Sequence, residues 1–160
     1  MAQEAPSTEE TLLDTVLAAD VERAELLRDS EIETDPNKIA NIHIRLADID
    51  AYSAEARASS ILSGLGFSQT DQNSSCSNFS GGWRMRVALA SVLFSNPDLL
   101  LLDEPTNYLD FEGTAWLENY LQKFKNTVLV ISHDRNLLNK SVSGILHLSS
   151  KKIQFYTGNY

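Results

Sequence analysis

Cysteine is almost missing from this chain: Cys76 stands alone, with no Cys/His cluster around it. An internal disulfide and a cysteine-anchored zinc site are both excluded. Long apolar runs are missing as well, since no stretch approaches the roughly 18 to 20 residues that cross a bilayer, and Met1-Ala2-Gln3-Glu4-Ala5-Pro6 does not open like a signal peptide. A soluble cytoplasmic chain is the expectation. Basic charge is short at the front: residues 1–60 hold 14 of the 22 acidic residues and 5 of the 13 basic ones, so the net charge of −9 lies there and residues 61–160 balance. A direct phosphate-backbone contact by that segment is disfavoured, because such contacts neutralise phosphates with Lys and Arg, and no DNA-binding signature accompanies it. It reads as a solvated helical surface. Also missing is any GxxxxGK followed by Ser or Thr, the loop that cradles nucleotide phosphates. What is present is 42% hydrophobic residues in 160, enough for one packed domain or most of one.

The organising stretch is Leu99 to Asp110. Four leucines after Pro97-Asp98 read as a strand buried on both faces, as in the middle of a parallel sheet, because a half-exposed strand would alternate. Asp103 and Glu104 follow at its C-terminal end, where open α/β sheets place their ligands. A carboxylate buried there is costly unless it meets a cation or strong donors. Neighbouring strand residues point to opposite sides, so Asp103 reads as a magnesium ligand and Glu104 as a group acting on water. Pro105 ends the strand, having no N–H for the ladder. Taken alone, the pair is also compatible with a strand end carrying solvated acids.

From the front, Ser7 to Glu10 fits a capping box. Leu12, Leu13, Val16, Leu17, Ala24 and Leu27 then give an apolar face at helical spacing, predicting a first helix to about Ser30. Asp35-Pro36 predicts a second start, and Ile39, Ile42, Leu46 and Ile49 predict an antiparallel partner running on to about Leu62. Ser63 to Phe67 ends it with glycines able to take left-handed conformations. Ser68 to Ser77 reads as a loop. Ser80, Gly81 and Gly82 open a helix from Trp83 to about Phe94; unpaired N–H groups and the positive dipole end there favour phosphate, and glycines permit close approach. Phe111 to Phe124 reads as a helix, Thr127–Ile131 as a second buried strand with His133 just past its end, and Asn136 to Ser141 as a short helix. Gly144–Leu148 and Lys152–Tyr156 read as a closing hairpin joined at Ser149-Ser150-Lys151. His43 and His147 have no such context and read as structural.

Ser80-Gly81-Gly82-Trp83-Arg84-Met85-Arg86, Leu99 to Glu104, Leu109-Asp110 and Ser132-His133-Asp134 come in the order of signature loop, Walker B with its glutamate, D-loop and switch histidine. In this the chain resembles the ATP-binding cassette ATPases, and its wording from Phe79 to Ala90 and from Asp103 to Asp110 is similar to the ABC-F branch. The resemblance implies an α/β, P-loop NTPase-like fold, here partial. Residues 1–95 would form the Q-loop, helical subdomain and signature helix. Residues 96–160 would form the Walker B to switch-histidine half of the core sheet and a terminal β-hairpin. It also implies roles. Glu104 polarises the attacking water, Asp103 and Gln3 hold Mg2+, His133 contacts the γ-phosphate, Ser80 to Gly82 cap the ATP of an opposite cassette, and Asp110 couples the two sites. ATP, a second cassette in cis or trans and the ribosome are the implied partners. The long arm of some ABC-F members is absent, since Glu31 to Asp35 is short.

With the phosphate loop missing, the resemblance predicts a partial cassette starting at the Q-loop, incomplete by itself, whose strand before His133 has an open edge. Two rivals stay open: a fragment of a transporter's ATP-binding subunit, and a non-catalytic truncated cassette. Trp-Arg-Met-Arg and Asn-Tyr-Leu-Asp favour the ABC-F reading.

Overall fold

A computed structural model describes residues 8–159. Gln3 and Ser7 therefore lie outside the described residues. The chain divides into two compact units at the Asn96–Pro97 boundary.

The first unit is helical. Thr11 caps α1 (Leu12–Leu17), its hydroxyl accepting the Asp14 N–H at 3.1 Å. The single helix expected to reach Ser30 is broken after α1, and α2 (Val21–Ile32) begins anew at Asp20, whose carboxylate accepts the Arg23 N–H at 3.0 Å. A short acidic side chain offers the backbone N–H groups a partner that competes with helix continuation. The second expected helix also stops early. After Asp35 and Pro36 start α3 (Pro36–Asp48) as read, Asp50 turns left-handed at φ 53° and a 3-10 turn over Ala51–Ser53 leads into α4 (Ala54–Gly64). Arg57 pins that corner, donating to the Asp50 carbonyl and carboxylate at 3.0 and 2.9 Å while lying over the Phe94 ring.

Residues Ser68 to Ser77 are more ordered than a loop. Ser68 and Asp71 form a reciprocal capping box on α5 (Gln69–Gln72), and a 3-10 turn covers Cys76–Asn78. α6 (Gly81–Phe94) completes the unit. Leu12, Val16, Ala54, Ala58, Leu62, Leu65, Val87, Ala90 and Leu93 are wholly buried. This core lies between α1, α4 and α6, whose alanines let the axes approach.

The second unit is β1 (Leu99–Asp103), α7 (Phe111–Lys123), β2 (Thr127–Ile131), α8 (Arg135–Ser141), β3 (Gly144–Ser149) and β4 (Lys152–Thr157). β1 and β2 pair in parallel, from Leu99 opposite Thr127 to Asp103 opposite Ile131. The expectation of strands buried on both faces is not met: Leu100 and Leu102 are buried, whereas Leu99 and Leu101 are 53% and 49% exposed and Leu129 and Ile131 are exposed too. An unbroken apolar run signals two covered faces, but among the described residues only one is covered. α7 and α8 are tied by Glu118, a buried carboxylate accepting from Lys140 Nζ at 2.7 Å.

β3 and β4 form an antiparallel hairpin whose two-residue turn, Ser150 and Lys151, has φ of 51° and 62°. Two successive left-handed residues match the strand twist of a tight hairpin even without glycine. A Cβ on Gly144 would stand 2.6 Å from the Phe155 ring and push that exposed ring aside. No helix among the described residues is long and apolar enough to cross a membrane.

Candidate functional site

The two strand ends of the second unit converge on one pair of side chains. Glu104 leaves β1 in a left-handed conformation at φ 45°, and its N–H donates to the Ile131 carbonyl at 2.8 Å, clamping the end of β1 to the end of β2. That turn brings Glu104 Oε2 to 2.9 Å from His133 Nδ1, and the His133 backbone N–H also donates to this oxygen at 3.4 Å. The imidazole is 79% exposed and the carboxylate 27%. The hydrogen bond to Glu104 raises the His133 pKa above its ordinary 6.5. The glutamate's charge and, more weakly, that of Asp134 act in the same direction against a small desolvation effect. Asp103, the last strand residue, is exposed beside this pair.

Two further acids near the edge are helix caps. Asp110 Oδ1 accepts the Gly113 N–H at 2.8 Å and starts α7. Asp134 accepts the Asn136 and Leu137 N–H groups at 2.8 and 3.3 Å and starts α8 one residue after the histidine. The sequence reading found Asp110 but not the role of Asp134. A cap signal was legible there, since an acid preceded the helical stretch. His43 and His147 lie elsewhere, His43 beside the Tyr52 hydroxyl at 3.1 Å and His147 near the Tyr156 ring.

In the first unit, Ser80 is the N-cap of α6, yet its hydroxyl makes no capping bond to the helix. A Cβ built on Gly81 would meet nothing within 4 Å, so packing inside this chain does not demand glycine there. The first turn of α6 thus presents an open helix N-terminus, suited to an anion approaching from outside. Around it stand Trp83 and Arg86, which belong to the signature wording, Gly66 and Phe67 of the helix-ending turn, and Gln72, to none of which motif order gives a role at this site. The available signal was Arg86, a charge on the face of α6 that also carries Val87, Leu89 and Ala90.

Among the described residues no three or more His, Cys, Asp or Glu gather to hold a metal ion.

The fold is that of an ABC ATPase cassette, P-loop NTPase-like. The chain is similar to a solved ATP-binding subunit of an ABC transporter, with a TM-score of 0.64 and 17% identity over 96% of this chain and 57% of that one. It is also similar to the dimeric post-hydrolysis state of the ATP-binding cassette MJ0796 bound to ADP and Pi, with a TM-score of 0.61 and 22% identity over 97% and 60%. Residues 4–107 match the ABC transporter family.

Curated relatives are closer in sequence. ATP-binding cassette sub-family F member 2 of Mus musculus is 45% identical across 100% of this chain and 26% of its own length, and sub-family F member 3 of Homo sapiens is 46% identical across 99% and 24%. The probable ATP-binding protein YheS of Escherichia coli is 45% identical across 99% and 25%. The chain belongs to the ABC transporter family and, within it, to the ABC-F subfamily. It spans about a quarter of the length of the curated relatives it matches.

Proposed function

We propose that this chain supplies the signature helix and the Walker B to switch-histidine edge of a cytoplasmic ABC-F ATPase that works on the ribosome. ATP would be bound and hydrolysed between two cassettes. The observation that carries the reading is the Glu104–His133 contact at 2.9 Å across the C-terminal ends of two parallel strands. Glu104 would take a proton from an attacking water, and its contacts with His133 support that role by holding the carboxylate in direction. His133 in turn would present its exposed ring to the terminal phosphate. Asp103 would hold magnesium, with Gln3 as a second ligand, and the ion would supply charge neutralisation on the phosphate oxygens. Asp110, as the cap of α7, fixes the loop that faces the opposite site. Ser80 to Gly82 would close on the nucleotide of the partner cassette, where only backbone N–H groups and one hydroxyl are needed.

The test is magnesium-ATP binding and turnover. The chain alone is expected to show none, because no GxxxxGK-S/T loop stands in its sequence. Joined in frame behind the front part of an ABC-F cassette, it is expected to turn over ATP. Glu104→Gln in that chimera should lower turnover by about 100-fold or more, the scale of losing a positioned general base, while nucleotide still binds. Turnover by the chain alone, or a chimera indifferent to Glu104→Gln, would overturn the assignment.

A further inference from the structure

The open N-terminus of α6 faces outward, but what fixes its direction lies behind it. Arg86 is only 9% exposed, and its guanidinium carbon sits 4.3 Å from the Trp83 ring centre while Nη1 donates to the Leu65 carbonyl at 3.1 Å. The carbonyl belongs to a turn completed by Gly66 at φ 96°, and a Cβ on Gly66 would stand 3.0 Å from Arg86 Nη1 and 3.8 Å from Trp83. Phe67, next in the turn, meets Trp83 edge to face at 5.1 Å and Phe79 at 5.8 Å. The turn is itself held from below by Gln72, whose side chain is wholly buried. Its amide donates to the Phe67 carbonyl at 3.3 Å, to Ser63 Oγ at 2.9 Å and to the Ser59 carbonyl at 3.3 Å, and it accepts from Ser59 Oγ at 2.7 Å. Phe79 and Trp83 bracket Ser80, Gly81 and Gly82 in sequence, and both are packed on the same phenylalanine.

We propose that Arg86 is a positioning residue for Ser80–Gly82. Stacked on Trp83 and bonded to the Leu65–Phe67 turn, it sets the direction in which the first N–H groups of α6 point. An arginine suits this task because its planar fork stacks and donates at once, whereas a lysine can only donate. A buried guanidinium that merely filled the core would be hard to rationalise, since an apolar residue of similar volume fills space without desolvating a charge. The proposal rests on the reading of Ser80–Gly82 as the phosphate-facing element.

Backbone amide relaxation of the 160-residue chain tests the brace without any nucleotide. In the wild type the Gly81 and Gly82 amides should be rigid, with order parameters near about 0.85, and should fall below about 0.6 in Arg86→Met and in Gly66→Ala. The C-terminal half of α6 should stay rigid in both variants. Arg86→Lys should fall between the wild type and Arg86→Met. Unchanged order at Gly81 and Gly82, or an equal loss along all of α6, would overturn the proposal and make Arg86 an ordinary core residue. If Arg86→Met does not fold, Gly66→Ala and Arg86→Lys decide by the same criterion.

In the ABC-F chimera, turnover should follow the same ranking, with about a 100-fold loss for the least ordered variant and nucleotide binding retained. A chimera whose turnover ignores Gly81→Val, a substitution for which this fold leaves room, would remove the phosphate reading. The order parameters measured on the chain alone would still decide the brace.

Discussion

The helical unit and the strand unit of this chain are built to different degrees of closure. In the first, α1, α4 and α6 enclose side chains that are wholly buried, and even a polar one, Gln72, has its hydrogen bonds met inside. In the second, Leu100, Leu102, Pro105, Leu117, Leu121 and Leu137 are buried, while Leu148 and Ile153 on the hairpin are 70% and 67% exposed. Both the pair that would act on water and the ligand for magnesium lie on the open unit, and the brace behind Ser80–Gly82 lies on the closed one. The difference teaches that packing and the candidate acid–base edge lie apart. In the proposed reading, the element that presents N–H groups is backed by buried side chains, and the edge that carries Glu104 and His133 belongs to strands with an uncovered apolar face.

Core truncation should expose this contrast most strongly. Leu62→Ala is expected to cost about 2 to 5 kcal/mol, while Leu101→Ala, at a position 49% exposed, should change stability by about 0.5 kcal/mol or less. Urea unfolding of both variants is the check, and equal losses would erase the contrast. Next comes Glu118→Ala, which removes the buried acceptor of Lys140 and should cost about 1.5 to 3 kcal/mol, read from unfolding monitored at α7 and α8. Ser68→Ala, losing one half of the capping box on α5, should cost about 1 kcal/mol. This sharpens the comparison, because the effect should stay within the helical unit in amide exchange.

The smallest effect expected is electrostatic. His133 titrates above its ordinary 6.5 because of Glu104, so the contact stabilises the fold fully at pH below that ordinary value and fades as pH rises through the raised one. Glu104→Gln should bring the His133 midpoint, followed by proton NMR, back down toward 6.5; an unmoved midpoint would mean that the exposed pair does not persist in solution.

Legibility differed between the units for physical reasons. The parallel strands were readable because runs of Leu and Val bounded by Pro97-Asp98 and Ser132 have few alternatives, and β2 falls at Thr127–Ile131 as read. The start at Asp35-Pro36 was equally plain. The breaks at Asp20 and Asp50 were not, because apolar periodicity runs straight through them while an aspartate side chain competes locally for backbone partners. The uncovered face of β1 was invisible in principle: a leucine run states what a strand needs, not what is there to cover it. At the candidate site, the motif residues Ser80–Gly82, Asp103, Glu104, Asp110 and His133 were legible from their order along the chain. Arg86, Gly66 and Gln72 matter through contacts between distant residues, which spacing does not encode.

Glu104 carries one more consequence. Its left-handed backbone, φ 45°, costs a non-glycine residue about 1 kcal/mol or more, and glycine would adopt the same turn without penalty. Position 104 is thus a site where selection for thermal endurance and selection for a carboxylate pull in opposite directions. A randomised library screened for heat resistance alone should drift toward glycine there, and one built in the ABC-F chimera and screened for ATP turnover should return to glutamate.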